Sequence, residues 1–339
     1  MAEYRQWRNE NRTMLKDVVP LETPYSIKLE TSSLCNARCV YCAHSLPDHG
    51  GVYQGNMTME VFDKVLSDLE EFPDKPRLMD MYQFGEPLCN PLLAQMIKKA
   101  KSRQVVEKIN FTTNALLFTK DRIDEIMESD GVDIIRISIQ GLDSESYWIN
   151  CGVRMDYERF LDNLSYLYKH KGRCEIRIKI ADTAIKGIEN GKQIFEELYN
   201  EIADTIFVEH ILPVFNGVDY DGIDDGIKND ILNGREGIET SSVHIVCHRP
   251  FYILRVASNG IVSAGCCDTP RDVIYGNIND QSLYNIWNGS KHMNFLKMQL
   301  EGKRFCHPSC KDCAVANDVG SDADYLDPWA EVILERWIG

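Results

Sequence analysis

Three cysteines in the spacing CxxxCxxC constrain this chain more than any other feature. They are Cys35, Cys39 and Cys42, and they follow the alternating stretch 25–30, which predicts a β-strand with its apolar residues on one face. The thiols are therefore expected on a loop at the end of a first strand. Three thiolates can hold three irons of a 4Fe–4S cluster and leave the fourth iron open to a small ligand, whereas an electron-transfer cluster usually has four cysteines.

Two other interpretations of these residues stay open. The spacing i, i+4, i+7 also describes one face of a helix, on which three cysteines are ordinary core residues. The three cysteines together with His44 also have the composition of a zinc site. Neither alternative accounts for the strand that precedes the cysteines.

Length and composition exclude several classes of protein. The chain has 339 residues, of which 44% are hydrophobic, as expected for a globular protein rather than a disordered one. It contains no apolar run of about 18 residues and no apolar segment at its N-terminus, so no membrane span is predicted and a cytoplasmic location is expected. The formal net charge of −15 opposes binding to phosphate backbones, so no nucleic-acid partner is predicted.

The remaining cysteines indicate a second site. Twelve cysteines in a chain without a leader predict metal or thiol chemistry rather than disulfides. Half of them lie beyond residue 246, namely Cys247, Cys266, Cys267, Cys306, Cys310 and Cys313.

Strand and helix patterns alternate six times over residues 25–210, which predicts an α/β fold with a parallel sheet and right-handed crossovers. In such folds the active site lies at the C-terminal ends of the strands. A β-hairpin is predicted with its turn at Asn259-Gly260, and a helix over 283–300. The predicted units are an arm (1–22), an α/β region (23–212), a bridge (213–246), a cysteine-rich unit (247–318) and a tail with a helix (319–339).

The cysteine motif, with Tyr41 before its last cysteine, resembles that of the radical S-adenosylmethionine (SAM) enzymes. In that family the open iron of the cluster is chelated by SAM, and electron transfer cleaves SAM to a 5′-deoxyadenosyl radical that abstracts a substrate hydrogen. The resemblance implies a partial (β/α)6 barrel, Cys35, Cys39 and Cys42 as cluster ligands, Tyr41 beside the cofactor, and a flavodoxin or ferredoxin as reductant.

Two strand ends resemble SAM-binding stretches of the family. Phe84-Gly85-Glu86-Pro87 is similar to the GGE motif, with Phe in place of the first Gly, which implies that Gly85 and Glu86 contact the SAM amino group. Ser138, in the run ISIQG, is similar to the serine of the SxDG stretch that binds the ribose or carboxylate of SAM, although Gln140 replaces the Asp. A tight turn with a surface Glu, and a serine in an ordinary turn, are the alternatives.

Two further strands offer candidate residues. Thr113 and Asn114 end the predicted third strand and resemble the TNG stretch near the cofactor, with Ala115 in place of Gly; the alternative is ordinary polar residues leaving a strand. Arg177 and Lys179 share one face of the predicted fifth strand because they are two residues apart. Inside a barrel they suit the carboxylate of SAM or an anionic substrate group. Alternatively both are solvated, since barrel strands usually keep apolar residues inside.

The C-terminal cysteines resemble the twitch domain, a shortened SPASM domain. The resemblance implies one auxiliary 4Fe–4S cluster held by Cys247, Cys266, Cys310 and Cys313. Cys267 and Cys306 are alternatives for one of these ligands, and a zinc site or buried cysteines are alternatives for the whole set. The six cysteines here lack the pattern of a full SPASM domain, which has seven.

Relatives with a twitch domain oxidise or epimerise carbinol carbons of sugars and aminocyclitols, and others modify peptides. The arm of 22 residues is too short for a peptide-binding domain, so a small polar substrate and its dehydrogenation are predicted. An epimerase that uses Cys151 as hydrogen donor is an alternative, because Cys151 precedes Gly152 in a predicted loop over the barrel. A peptide-modifying maturase and a non-catalytic, zinc-stabilised binding module are the remaining alternatives.

Overall fold

The computed structural model describes residues 1–4, 12–209, 211, 215, 217–220, 244–264, 273–311, 313–317 and 322–338. Its strands are β1 (Glu3–Tyr4), β2 (Ser26–Leu29), β3 (Leu78–Asp80), β4 (Lys108–Thr113), β5 (Ile134–Ile139), β6 (Glu175–Ala181), β7 (Thr205–Glu209), β8 (Ile253–Val256), β9 (Ile261–Ser263) and β10 (Ile274–Asn277). Its α-helices are α1 (Leu15–Val18), α2 (Met59–Leu69), α3 (Leu93–Arg103), α4 (Lys120–Met127), α5 (Ser144–Cys151), α6 (Tyr157–His170), α7 (Asp182–Ile185), α8 (Gly191–Tyr199), α9 (Leu283–Trp287), α10 (Ser290–Leu300) and α11 (Ala330–Ile338).

The ten strands that the structure describes form one sheet in the order β1-β7-β6-β5-β4-β3-β2-β8-β9-β10. Strands β1 to β8 pair in parallel, whereas β9 and β10 are antiparallel to their neighbours. From β2 to β7 each strand is reached through at least one helix and lies beside its predecessor. The α/β fold predicted from the sequence pattern, with its partial barrel of parallel strands, is therefore confirmed.

The sheet has an apolar face and a polar face. On β5, Ile135, Ile137 and Ile139 are fully buried in the main hydrophobic core. Arg136 and Ser138 alternate with them and therefore point to the opposite face. The same alternation holds on β2, β4 and β6, so the helices cover the apolar face and the polar face lines the inside of the partial barrel. The alternative in which apolar residues fill the inside does not hold for this sheet, because the helices cover the apolar residues on the outside.

Helix ends follow the sequence signals. The Thr58 hydroxyl accepts a hydrogen bond from the Val61 N–H (3.3 Å) at the start of α2, the position at which threonine is a favoured cap. Thr119 caps α4 in the same way, with a bond of 3.2 Å from the Arg122 N–H. The single helix predicted over 283–300 is two helices, α9 and α10, which are separated at Gly289.

The C-terminal unit continues the sheet of the N-terminal one. The predicted hairpin is confirmed: β8 and β9 pair, with Gly260 at a φ of +85° in the turn. However, β8 also pairs in parallel with β2, from Ser26 opposite Ile253 to Leu29 opposite Val256. The predicted bridge, 213–246, lies mostly outside the described residues.

Both ends of the chain join the body of the protein. In the arm, β1 pairs with β7, and Leu15 of α1 shares a second hydrophobic cluster with Phe251, Leu296 and Ile333. No helix in the described part of the chain is long and apolar enough to cross a membrane.

Candidate active site and metal centres

The loop after β2 carries the three cysteines of the first motif. Cys35, Cys39 and Cys42 are half-buried, and their thiols are close enough to interact electrostatically with one another. Burial raises the pKa of the Cys35 thiol to about 12. Because a metal ligand must be a thiolate, cluster binding has to supply the free energy of its deprotonation.

Main-chain hydrogen bonds hold this loop on two sides. The Arg38 N–H donates to the Cys151 carbonyl (2.8 Å) and the Val40 N–H donates to the Asn150 carbonyl (3.0 Å), which ties the loop to the end of α5. The hairpin between β8 and β9 supports the start of the loop, because the Ser258 hydroxyl lies 3.3 Å from Glu30 Oε1. The cysteine loop is thus held in place at the C-terminal ends of the strands.

Gly85 lies directly against the cysteine loop. A Cβ at this position would lie 2.3 Å from the Ser32 carbonyl oxygen and 2.6 Å from that of Leu34, so any side chain would force the two backbones apart. Phe84, which replaces the first glycine of the family motif, is buried, and the Arg255 guanidinium lies 4.7 Å from its ring centroid. The departure from the motif is therefore accommodated by a packed ring.

Glu86 is a buried carboxylate with donors on both oxygens. Its Oε1 accepts from the Thr113 hydroxyl (2.6 Å) and the Leu88 N–H (3.0 Å), and its Oε2 accepts from the Asn114 N–H (2.7 Å). Burial raises the pKa of Glu86 to about 7, and these hydrogen bonds oppose that rise. A carboxylate in such a place attracts a cation, because burying its charge alone is costly.

The end of β4 connects Glu86 with the cysteine loop. The Asn114 side-chain amide donates to Asn36 Oδ1 (2.9 Å) and lies 3.9 Å from the sulfur of Cys35. The structure thus brings together four of the predicted cofactor residues, Gly85, Glu86, Thr113 and Asn114, beside the first cysteine.

The end of β5 reaches the same loop through Gln140. The Tyr41 hydroxyl donates to Gln140 Oε1, and burial raises the pKa of Tyr41 well above its usual value. Gln140 stands where the family motif has Asp, and it is the residue that contacts the loop. Ser138, two residues earlier, is half-buried on the polar face.

The polar face of the sheet carries paired charges. Arg136 donates to Asp80 (2.8 Å), Arg177 pairs with Glu175, and Lys179 pairs with Glu209. Arg177 and Lys179 are neither fully solvated nor free cations, since each is partly buried against a carboxylate.

Two residues on this face were missed in the sequence. Lys28 Nζ lies 3.4 Å from the Tyr82 hydroxyl, and it lowers the pKa of Tyr82. No carboxylate pairs with Lys28 within the described ranges. The sequence pattern could have indicated Tyr82, because Asp80 and Tyr82 are two residues apart and can share a face, as Arg177 and Lys179 do. Spacing alone, however, does not show which face of the sheet lies inside the barrel.

Cys151 lies in the hydrophobic core at the end of α5. It is fully buried, its thiol donates to the Tyr147 carbonyl (3.0 Å), and it also contacts the thiol of Cys39. The structure therefore places it behind the cysteine loop rather than on the polar face.

The second group of thiols surrounds a pocket. Cys247, Cys310 and Cys313 line it together with Val273, Phe295, Gln299 and Arg304. Cys266 and Cys267 lie outside the described residues, and Cys306 is exposed. Three converging thiols in a mainly apolar pocket are a donor set that fits an iron–sulfur cluster.

Arg304 organises this pocket, although no sequence motif marks this residue. Its guanidinium is buried and donates to the carbonyls of Cys310 and Cys313 (3.0 Å each) and of His244 (2.9 Å). The Gln299 side chain adds a second link: its Oε1 accepts from the Cys247 N–H (3.1 Å).

Among the described residues, no three His, Cys, Asp or Glu side chains are arranged to hold a single metal ion.

Family models match the chain at both sites. The radical SAM superfamily model matches residues 29–188, and the iron–sulfur cluster-binding SPASM domain matches residues 247–314. The chain therefore contains a radical SAM domain followed by a C-terminal SPASM domain. It uses SAM and 4Fe–4S clusters as cofactors, and like other members it needs a reductant.

Curated relatives differ in what they do. The chain is 25% identical over 325 residues to a tungsten-containing aldehyde ferredoxin oxidoreductase cofactor-modifying protein of Pyrococcus furiosus, a match that covers 85% of this chain and 86% of the relative. It is 25% identical over 218 residues to a GTP 3′,8-cyclase of Clostridium perfringens, which covers 62% of each protein.

Solved structures share the fold at low identity. Streptococcus suis SuiB bound to SAM has a TM-score of 0.62 at 16% identity and covers 89% of this chain and 73% of that one. BtrN in complex with SAM and 2-DOIA has a TM-score of 0.54 at 18% identity, with coverage of 89% and 97%. The enzyme anSMEcpe with bound SAM has a TM-score of 0.59 at 19% identity, with coverage of 92% and 95%.

Proposed function

We propose that this enzyme abstracts hydrogen from a carbinol carbon of a small polar substrate, such as a sugar or aminocyclitol, and releases the carbonyl product. The cluster bound by Cys35, Cys39 and Cys42 supplies the 5′-deoxyadenosyl radical when SAM is bound. The observation that carries the proposal is the polar face of the sheet beside Glu86, since its fixed donors and acceptors suit a substrate with several hydroxyl groups.

In this proposal the residues around Glu86 hold SAM. The Glu86 carboxylate takes the SAM ammonium group, and the absence of a side chain at Gly85 lets the backbone of the cysteine loop pack against this stretch. Asn114, Ser138 and the Tyr41–Gln140 pair border the rest of the cofactor. These roles fit the burial of Glu86 and the short distances that link it to β4 and the cysteine loop.

The charged pairs of the polar face bind the substrate. Because Arg177 and Lys179 are already paired with carboxylates, they act as fixed hydrogen-bond donors for hydroxyl groups rather than as sites for a free anion. Lys28 and Tyr82 add a donor pair on the opposite side, next to the Asp80–Arg136 pair.

Cys247, Cys266, Cys310 and Cys313 would hold the auxiliary cluster, which would supply the electron acceptor that the reaction needs. The substrate loses one hydrogen atom to the deoxyadenosyl radical, and the remaining substrate radical must lose a proton and an electron to become a carbonyl. A cluster held by these cysteines would supply the acceptor for that electron. An epimerase would need no such acceptor but would need a hydrogen donor, and the burial of Cys151 against Cys39 favours the dehydrogenase.

One comparison favours a second candidate substrate. The match to the cofactor-modifying protein of Pyrococcus furiosus covers most of both chains. The organic part of a metal cofactor, itself a small polar molecule, is therefore the second candidate for the same site and the same radical chemistry.

The test is product analysis with anaerobically reconstituted enzyme, SAM and separate panels of polyols, aminocyclitols, pterins and peptides. A dehydrogenase forms product lighter by two hydrogens and 5′-deoxyadenosine in equal amount. The matched variants Tyr82→Phe and Lys28→Met should raise KM, while Lys98→Met on the exposed surface of α3 should not. Product of unchanged mass that carries solvent deuterium would replace dehydrogenation by epimerisation, and a modified peptide would replace the small substrate.

A further inference from the structure

An exposed apolar surface lies beside the cysteine loop. The side chains of Val40, Trp148 and Ile149 are 41%, 43% and 62% exposed. They are neighbours, because the main-chain bond from Val40 to Asn150 joins the loop to the end of α5. Contiguous exposed apolar groups with a charged rim mark interaction sites. We name this surface, formed by Arg38, Val40, Trp148, Ile149 and Arg154, the loop patch.

The rim of the loop patch is basic. Arg38 and Arg154 are exposed, and neither forms an ion pair within the part of the chain that the structure describes. The Arg38 guanidinium donates to the carbonyls of Cys35 and Ala37 (2.8 Å each), and that of Arg154 lies 4.4 Å from the ring centroid of Trp148. Glu145, one turn earlier on α5, is the nearest acidic neighbour on that helix. Two fixed cations thus face solvent on a chain with a net charge of −15.

The loop patch adjoins the predicted cluster ligands, since the Arg38 guanidinium donates to the Cys35 carbonyl (2.8 Å). Cys39 lies between Arg38 and Val40 in the chain, and its thiol points inward to contact Cys151 at the end of α5. Rates of electron transfer fall steeply with distance, and an electron that enters here has a short route to a cluster on the loop.

We propose that the loop patch is the docking surface for the electron donor, a small acidic one-electron carrier protein. The inference rests on the proposed function, which requires a reduced cluster. The apolar centre matches the small interfaces of transient redox complexes, and the two arginines steer an acidic partner to this surface of an acidic chain. One electron leaves the carrier and enters the cluster, and no atom is transferred.

The variant Ile149→Glu/Arg154→Glu tests the proposal with the full-length, reconstituted enzyme. Its matched control is Val332→Glu/Lys98→Glu, which makes the same changes in charge and apolar surface on α11 and α3, where both residues are exposed. Two assays are compared: formation of 5′-deoxyadenosine without substrate, driven by reduced flavodoxin or ferredoxin or by dithionite, and binding of the carrier by calorimetry.

The expected result is a loss of about tenfold or more in the carrier-driven rate and in carrier affinity for the loop-patch variant alone, with the dithionite-driven rate unchanged. Rising salt should slow the carrier-driven wild-type reaction and leave the variant little changed. If the variant does not fold, Ile149→Ser/Arg154→Gln takes its place.

Equal carrier affinity in the variant and the control overturns the docking surface, and so does a wild-type enzyme that binds neither carrier. An absence of dithionite-driven SAM cleavage in the wild type sinks the proposed function instead, and the binding measurement then still decides the surface.

Discussion

The two thiol sites of this protein are built in opposite ways. Cys35, Cys39 and Cys42 come from one short loop whose backbone is fixed by the strand ends around it. Cys247 and Cys310 come from distant parts of the chain and meet around a buried arginine. The first site depends on the sheet, whereas the second depends on long-range folding of the C-terminal unit. Loss of thiols should therefore change chemistry at the first site and folding at the second.

The largest effect is expected at the first site. Replacing Cys35, Cys39 and Cys42 by Ala should abolish formation of 5′-deoxyadenosine and leave the iron of one cluster, since the second site is separate in the chain. Iron analysis and product detection measure both quantities. The control is Cys174→Ala, which changes a buried cysteine at the N-terminal end of β6. Deoxyadenosine formation by the triple variant would disprove the ligand assignment.

At the second site, replacing Cys310 and Cys313 by Ala should remove about one cluster of iron and destabilise the C-terminal unit, because metal binding is coupled to folding there. SAM cleavage should survive at a reduced rate. Mössbauer spectra and thermal unfolding are the measurements. Unchanged iron in this variant would mean that the auxiliary site lies elsewhere.

A change at Arg304 sharpens the contrast without touching a ligand. Arg304→Leu leaves three buried carbonyls without their donor, which costs about 3 kcal/mol or more of unfolding free energy at roughly 1–3 kcal/mol for each group. The second cluster should be lost and the first retained. Arg304→Lys should restore part of the stability. Equal loss of both clusters would contradict the independence of the two sites.

A smaller effect is expected from the protonation of Glu86, whose pKa is raised to about 7 by burial. Its ionised fraction should rise about tenfold between pH 6 and pH 8, so SAM should bind about tenfold more tightly at pH 8. In the protein without SAM, the contribution of Glu86 to the free energy of unfolding falls as the pH rises, which is the opposite trend. The pKa is raised above its unfolded value, so the stabilisation is complete below about pH 4.5 and is lost as the pH rises through 7. Calorimetry and denaturant titration measure both trends, and Glu86→Gln should remove them.

The smallest effect is expected for Cys151→Ala. The thiol is buried between Tyr147 and Cys39, so its removal should cost about 1 kcal/mol and leave the product unchanged. A variant that still forms 5′-deoxyadenosine but no longer incorporates solvent deuterium into product would instead identify Cys151 as a hydrogen donor.

Much of the fold is predictable from the sequence because periodicity and caps are local. The six strands and the hairpin at Gly260 lie where alternation and turn residues place them. The cysteine loop, Gly85 and Glu86 were predictable for the same reason, since each lies in the connection that follows a strand. Arg304 was not, because its acceptors include the His244 carbonyl, far away in the chain, and no pattern surrounds it.

The polar inside of the barrel was the other feature that could not be predicted from the sequence. Alternation shows that Arg177 and Lys179 share a face, but it does not say which face the helices cover. Once Ile178 is known to lie in the helix-covered core, the charged residues beside it must line the inside. The tertiary structure is therefore needed to tell which face of the sheet lies inside the barrel.

The pairing of β8 with β2 has a consequence for folding during synthesis on the ribosome. Strand β2 leaves the ribosome early, but β8, its second neighbour in the sheet, is made only when most of the chain has been synthesised. Until then β2 is an open edge next to the cysteine loop, and such edges invite association with other chains. Shortened versions that end before residue 253 should therefore aggregate, and the two units of this enzyme cannot be exchanged as independent modules.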